Sequence, residues 1–209
     1  MAKTSAMIVD DQQMARKLFE MYLQSSEQYQ LACTLETAAY AADVAAAAPV
    51  DLILMDIQMN DGSNGLAAAE KIKQARPEIK IIAITSMAEA SWLKRARKIG
   101  IESFWYKEAS EETILEVMDK TMAGQSVYPD SPLRVQLGLV SSVEFTEREL
   151  EVLRAMTRGL SNAAIAGRLG ISENTVKVHI QHMLDKTGYE NRTELAIKAR
   201  VSGVVVSLE

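Results

Sequence analysis

The chain has 209 residues, 48% of them hydrophobic, and a net charge of -5. This composition excludes a disordered chain, and the length allows one large domain or two small ones with real cores. No apolar run approaches the roughly 18 residues of a membrane span, and a single cysteine, Cys33, excludes an intrachain disulfide. The start, MAKTSAMIVDD, has no signal-peptide core. The expectation is a cytosolic protein with no membrane partner and with Cys33 as a buried thiol. The acidity is uneven. Residues 1–124 hold 13 Lys+Arg against 18 Asp+Glu, and residues 125–209 hold 10 of each. Global charge therefore gives no attraction to nucleic acid, and any such role rests on a local surface.

Residues 5–11 read as the first strand, with Ala6-Met7-Ile8-Val9 leading into Asp10 and Asp11. Met14, Leu18, Met21 and Tyr22 recur at helical spacing and predict an amphipathic helix to about Ser25. Tyr29 to Leu35 is a second strand. Ala38 to Ala48 is helical and stops at Pro49. Asp51 to Asn60, DLILMDIQMN, holds the third strand, an apolar run of the kind buried on both faces of a parallel sheet. The loop 60–65, NDGSNG, is dense in turn formers, and a helix from Leu66 to Arg76 ends before Pro77. Residues 79–85, IKIIAIT, are a fourth strand. The next helix carries Trp92, Ala96 and Ile99 on one face. Its basic cluster, Lys94, Arg95, Arg97 and Lys98, reads as a solvated face, with a dimer face as the alternative. Glu102 to Tyr106 is the fifth strand, ending at Lys107. Ile114, Val117, Met118 and Thr121 mark a fifth helix. Five alternations of strand and helix predict a parallel sheet with helices on both faces. Periodicity then fails over residues 124–143, which read as a linker with one short helix around Leu133 to Leu137. Two domains follow: residues 1–123 and residues 144–209.

In open α/β sheets, sites lie at the carboxyl ends of the strands. Asp10, Asp11 and Asp56 all fall there. Three carboxylates gathered at one edge repel one another unless a hard cation binds, and Mg2+ prefers a few carboxylates with waters and phosphate oxygens. A carboxylate left reachable can act as a nucleophile toward a phosphoryl group. Thr85 and Ser86 close the fourth strand and Lys107 the fifth, which adds a hydroxyl donor and a cation to the same edge. Over residues 5–123 the sequence resembles the receiver domain of two-component response regulators. The resemblance implies that Asp56 is the phosphoacceptor, fed by a sensor histidine kinase. It implies a Mg2+ cofactor held by Asp10, Asp11, Asp56 and the Gln58 backbone carbonyl. It implies that Thr85 and Lys107 engage the phosphoryl group, and that Phe104 is the aromatic whose rotamer follows the threonine. The fold implied is flavodoxin-like, a (βα)5 unit with a five-stranded parallel sheet. Departures fall in loops. Asn60 stands where the family has proline, the loop before Gly65 is one residue longer, and Glu108 follows Lys107 where many receivers have a cis proline.

In the second half, Thr146 and Glu149 form a capping box, with Phe145 and Leu150 at the staple positions. A helix runs to about Arg158, Ser161 caps a short helix to Leu169, and Ser172 caps another to about Lys186. Helix, glycine turn, helix is the helix-turn-helix pattern. On the third of these helices Val176, Ile180, Met183 and Leu184 form the buried stripe. Asn174, Lys177, Val178 and Gln181 form another face, on which Lys and Gln can read base edges and Val can meet a thymine methyl. His179 and His182 lie nearby without ligand partners, so no metal site is expected there. The runs FTERELEVL, GLSNAAIAGRLGIS, NTVKVHIQHMLDK and NRTELA resemble the LuxR-type DNA-binding domain over roughly residues 144–202. The implied fold is an all-α, four-helix unit, and the whole resembles a NarL/FixJ-type response regulator. That implies double-stranded DNA as a partner, bearing a palindromic operator. It implies base contacts from Lys177, Val178 and Gln181, and backbone contacts from Asn162, Thr175, His179 and Arg192. It also implies a fourth helix, Asn191 to Ser202, for homodimerisation on phosphorylation, and RNA polymerase as a further partner. Ala163 stands where the family commonly has lysine. The apolar tail Val204-Val205-Val206 lies outside the motif and is expected to pack on the domain or on a partner.

Two other readings compete. A hydrolase using Asp56 as a covalent phospho-nucleophile needs a second aspartate two residues on as general acid, and that position is Gln58. The chain is therefore not expected to be an enzyme. A DNA-binding regulator that never uses phosphate would keep the first domain only as an interaction module.

Overall fold

The computed structural model describes residues 3–107 and 110–205. Glu108 and Val206, both singled out in the sequence, lie outside the described residues. The chain divides into two compact units: Met1–Ser86 with Ser91–Asp130, and Met87–Ala90 with Ser131–Glu209.

The first unit runs β1 (Thr4–Val9), α1 (Gln13–Ser25), β2 (Tyr29–Leu35), α2 (Ala41–Ala47), β3 (Leu52–Asp56), α3 (Gly65–Ala75), β4 (Lys80–Thr85), α4 (Ala90–Ile99), β5 (Ser103–Tyr106) and α5 (Ile114–Met122). The five strands form one sheet in the order β2-β1-β3-β4-β5, and every pair is parallel. The central strands are buried from end to end, which is why they read as unbroken apolar runs rather than as alternation. Ala6, Ile8, Leu52, Leu54, Ile82 and Ile84 face α1 and α5 in one core layer. Successive strand residues point to opposite sides, so Met7, Val9, Ile53, Met55, Ile81 and Ala83, all buried, face the other layer.

The helical period of α1 is as expected, but its phase is not. Arg16, Phe19 and Leu23 are the buried residues; of the expected stripe only Tyr22 packs on the core, whereas Met14 (82% exposed), Leu18 (45%) and Met21 (64%) face outward. The reason is Arg16. Its guanidinium donates to the Asp10 carbonyl at 2.7 Å and pairs with Glu36, so a charged residue occupies the inner stripe. In α5 the expected stripe of Ile114, Val117, Met118 and Thr121 is the buried one. Cys33 is half-buried on the edge strand β2 rather than in the core.

The stretch 133–137 is not a helix. Gln136–Leu137 (β6) and Val140–Ser141 (β7) make an antiparallel hairpin. Gly138 takes φ +64 at the first position of the two-residue loop, the glycine position of a type II′ turn. A Cβ there would meet the Thr187 carbonyl oxygen at 2.0 Å, and the Leu139 N–H donates to that same oxygen at 3.0 Å.

The second unit continues with a 3-10 turn (Ser142–Glu144), then α6 (Glu147–Thr157), α7 (Asn162–Leu169), α8 (Glu173–Thr187) and α9 (Arg192–Val201). The capping box forms as expected, with the Glu149 N–H donating to the Thr146 side chain and Glu149 accepting from the Thr146 N–H. Phe145 is buried and Leu150 packs on the same core. Val176, Ile180 and Met183 of α8 are buried in it, with Leu184 partly so, and Val204 and Val205 of the apolar tail join it. The tail therefore packs on its own unit.

Candidate functional site

The sheet's carboxyl edge carries the first cluster. Asp56 ends β3 and is 4% exposed, Asp10 follows β1 at 1%, and Asp11 is half-buried. One carboxylate oxygen from each lies within 4.8 Å of the others. Lys107, just past β5, donates to Asp10 Oδ2 at 2.7 Å and Asp56 Oδ2 at 2.8 Å. Register explains the meeting. Asp56 pairs with Ile84 and Thr85 with Tyr106, so neighbouring strands end together. The start of α3 presses on Asp56, for a Cβ on Gly65 would lie 1.9 Å from the Asp56 carbonyl oxygen.

The loop after β3 is also tied to the cluster. The Asn60 N–H donates to Asp11 Oδ2 at 2.6 Å and the Gln58 N–H to Asp56 Oδ1 at 3.3 Å. Gln58 and Asn64 form an antiparallel bridge, and Ser63 Oγ accepts from the Ala38 N–H. The loop is thus held by hydrogen bonds to Asp11, Asp56 and Ala38. None of these could be read from residue types alone.

Burial pushes the Asp56 carboxyl up. Lys107 opposes this, Asp10 adds to it, and the result is a pKa of about 6. Burial pushes the Lys107 ammonium down, but Asp56 and Asp10 outweigh it and hold it above the usual range. The donor set suits a hard cation: three carboxylates, and in the turn after β3 a Gln58 Oε1 that is buried with no partner. Thr85 sits 1% exposed at the end of β4. Phe104 does not join the carboxylates. It lies two residues before Tyr106 on β5, 1% exposed.

The second site is a surface. On α8, Asn174, Lys177, Val178 and Gln181 are exposed along one stripe, and Thr175 and His179 are half-buried at its edge. Gln181 Nε2 donates to Asp185 Oδ1 at 2.8 Å, one turn on. Arg192 and Asn162 meet directly: the guanidinium donates to Asn162 Oδ1 at 2.7 Å and to the Leu160 carbonyl at 2.8 Å. The sequence assigned both to DNA-backbone contacts but did not reveal that they bond each other, since 30 residues separate them.

A parallel sheet with an acidic, lysine-bridged edge, joined to a helix-turn-helix unit, defines a receiver linked to a DNA-binding module. Residues 6–119 match the family described as the response regulator receiver domain, and residues 143–199 match the bacterial regulatory proteins of the luxR family. The chain is 32% identical over 198 residues to the response regulator protein VraR of Staphylococcus epidermidis, covering 92% of this chain and 94% of that protein. VraR of Staphylococcus aureus matches to the same extent. Among solved structures, the RcsB–DNA complex aligns with a TM-score of 0.62 at 19% identity, covering 98% of this chain and all of that one. RcsB of Salmonella enterica serovar Typhimurium bound to a promoter with a phosphomimetic aligns at 0.64, also at 19% identity, with the same coverage. The chain belongs to the two-component response regulators with a LuxR-type DNA-binding domain. No helix among the described residues is long and apolar enough to cross a membrane.

Proposed function

We propose that the chain is a transcription regulator switched by phosphorylation of Asp56. The observation that carries this is the cluster itself: three carboxylates within 4.8 Å and one lysine bridging two of them. A phosphohistidine on a sensor kinase supplies the group. An Asp56 oxygen forms the P–O bond as the P–N bond to the imidazole breaks. Asp56 must be ionised to attack, and Lys107 favours that form, as does a cation at Asp10, Asp11 and Asp56. Mg2+ fits those oxygens, with the Gln58 carbonyl as a further ligand, and when bound it neutralises charge on the transferred group. Lys107 and the Thr85 hydroxyl are the groups of this chain that would hold the added oxygens. Domain boundaries at 1–123 and 144–209, with Phe104 as the responding aromatic, complete the reading. Asp56→Asn should take up no label from acetyl phosphate or a kinase. Equal labelling of wild type and variant would remove Asp56 from this role.

Output runs through α8. Lys177 has donors for guanine O6 and N7, Val178 offers an apolar contact, and Gln181 and Asn174 offer amides. Thr175, His179, Asn162 and Arg192 would make the phosphate contacts. On α9, Ile197 and Val201 are 55% and 80% exposed, which supports that helix as the dimer contact. A dimer sets two reading helices roughly 34 Å apart on a palindromic operator. Lys177→Ala should cost on the order of 1–3 kcal/mol at the operator and relax base preference there. Titrations on operator and scrambled DNA at several salt concentrations would check it. An unchanged specific-to-nonspecific ratio would move the reading face elsewhere.

A further inference from the structure

Residues 125–130 follow α5 without regular secondary structure, yet they are fastened to β5. The Phe104 N–H donates to the Val127 carbonyl at 2.8 Å, and the Val127 N–H donates to Ser103 Oγ at 3.0 Å. Ser103 Oγ lies 2.7 Å from the Thr121 hydroxyl of α5, so the strap is tied to two elements. The next residue, Tyr128, donates its hydroxyl to the Ile101 carbonyl at 2.8 Å. Its ring lies 4.3 Å under the Arg97 guanidinium of α4. One of the cations that read as solvated is thus stacked on an aromatic face, an arrangement that is attractive through the ring quadrupole.

Tyr128 also ends a row of rings. Its centroid is 6.2 Å from that of Phe104, and Phe104 is 5.2 Å from Tyr106 in an edge-on contact. Tyr106 is the register partner of Thr85, and Lys107 follows it. The row therefore starts beside the acidic edge and ends on the segment that leaves the first unit. Phe104 and Tyr106 are 1% and 3% exposed. Close-packed interiors do not absorb a ring movement locally, so a turn of Phe104 displaces the ring next to it. The backbone adds a second link, because the Phe104 N–H holds the strap directly.

We propose that Tyr128 is a positioning residue that passes the state of the Asp56 site to the connecting segment, with Phe104 as the intermediate ring and the strap released from β5 when Asp56 carries a phosphoryl group. This rests on the reading of Asp56 as phosphoacceptor. Tyr128 touches none of the carboxylates, so its replacement leaves the rate of phosphoryl uptake as in wild type.

The test is amide hydrogen exchange on the full chain with Mg2+, before and after treatment with acetyl phosphate, with intact mass reporting the adduct. In wild type the Phe104 and Val127 amides should exchange at least tenfold faster once the adduct forms. In Tyr128→Ala they should exchange fast in both states, and the gain in DNA affinity on phosphorylation should fall tenfold or more. Tyr128→Phe keeps the ring and should keep both responses. That separates coupling from simple loosening, and the wild-type exchange at Val127 still tests release of the strap if the alanine variant fails to fold. An adduct with unchanged exchange at Val127 overturns the proposal, as does a Tyr128→Ala protein that responds to phosphorylation as wild type does. Absence of any adduct overturns the phosphoacceptor reading instead.

Discussion

Two carboxylates, one in each unit, are buried beside a lysine and behave in opposite ways. Asp56 is 4% exposed and Glu149 3%. Asp56 faces Lys107 at 2.8 Å, and Glu149 faces Lys186 at 2.8 Å. Burial pushes both carboxyls up. At Asp56 it wins and the pKa rises to about 6. At Glu149 the hydrogen bonds from Lys186 and from the Thr146 N–H and hydroxyl outweigh it and leave the group below its usual range. The difference lies in how deeply each carboxyl is enclosed, Asp56 far more than Glu149, and in the neighbours. Asp56 shares its lysine with Asp10 and receives one long backbone hydrogen bond. Glu149 shares Lys186 with no second carboxylate, only with the Glu144 carbonyl, and has the Thr146 helix cap besides. A buried carboxylate with donors missing is held ready for a cation and a reaction, whereas one with its donors supplied holds a helix in place.

The largest effect that separates the two regions comes from glycine. Gly65→Ala forces a Cβ to within 1.9 Å of the Asp56 carbonyl, where only backbone can give way. Gly138→Ala meets the Thr187 carbonyl at 2.0 Å and is strained at φ +64 as well. Each should cost about 3 kcal/mol or more in denaturant melts. Only the first should slow phosphoryl uptake, because only it moves the end of β3. A Gly65→Ala protein with wild-type stability and uptake would show that α3 does not position Asp56.

The next effect is a gain. The folded pKa of Asp56, about 6, lies above the ordinary value of 3.8. The folded state therefore holds the proton more tightly, and stability falls as pH rises from about 4 through about 6. At pH 7 the ionised group is a cost. Asp56→Asn should then raise stability in Mg2+-free buffer at pH 7 by roughly 1–3 kcal/mol, and the gain should vanish below about pH 4. Mg2+ should narrow the gap by stabilising wild type more than the variant. Thermal melts across that range decide it. A gain that is flat with pH would assign the effect to packing.

Much of this was legible because strand ends are legible. Unbroken apolar runs closed by Asp10, Asp56, Thr85 and Lys107 put those residues on one edge from the sequence alone, and the five-stranded parallel sheet is as expected. Helix phase was less legible where a charge is buried. Arg16 sits in the inner stripe of α1 because its guanidinium reaches the Asp10 carbonyl, and no residue pattern announces that. The connecting segment misled in another way. Its Pro, Gly and Ser content correctly signalled the absence of long elements. The hairpin 136–141 owes its place to the Thr187 carbonyl, however, and Val127 owes its place to Phe104. Such partners lie far off in sequence, and so does the Arg192–Asn162 pair, which is why local reading treated them singly.

The smallest effect tests the satisfied carboxylate. Thr146 supplies Glu149 with two donors, its N–H and its hydroxyl, and accepts the Glu149 N–H in return. Thr146→Ala removes the hydroxyl and the cap acceptor but keeps the backbone donor and Lys186. The loss should be about 1 kcal/mol at neutral pH, typical of a lost N-cap. Part of that is the cap, which does not depend on pH. The other part is linkage: a carboxyl held below its usual range contributes stability above the ordinary glutamate value, about 4.3, and loses it as pH falls through the depressed value. With one donor fewer, Glu149 in the variant sits closer to the ordinary range, so its contribution is smaller at pH 7 and equally absent in acid. The gap between wild type and variant should therefore shrink as pH falls through the glutamate range, opposite in sign to the Asp56→Asn curve. Melts of both variants on one pH axis show the contrast directly. Two curves of the same slope would mean that Glu149 is no better satisfied than Asp56, and the distinction between a reactive and a structural buried carboxylate would fail here.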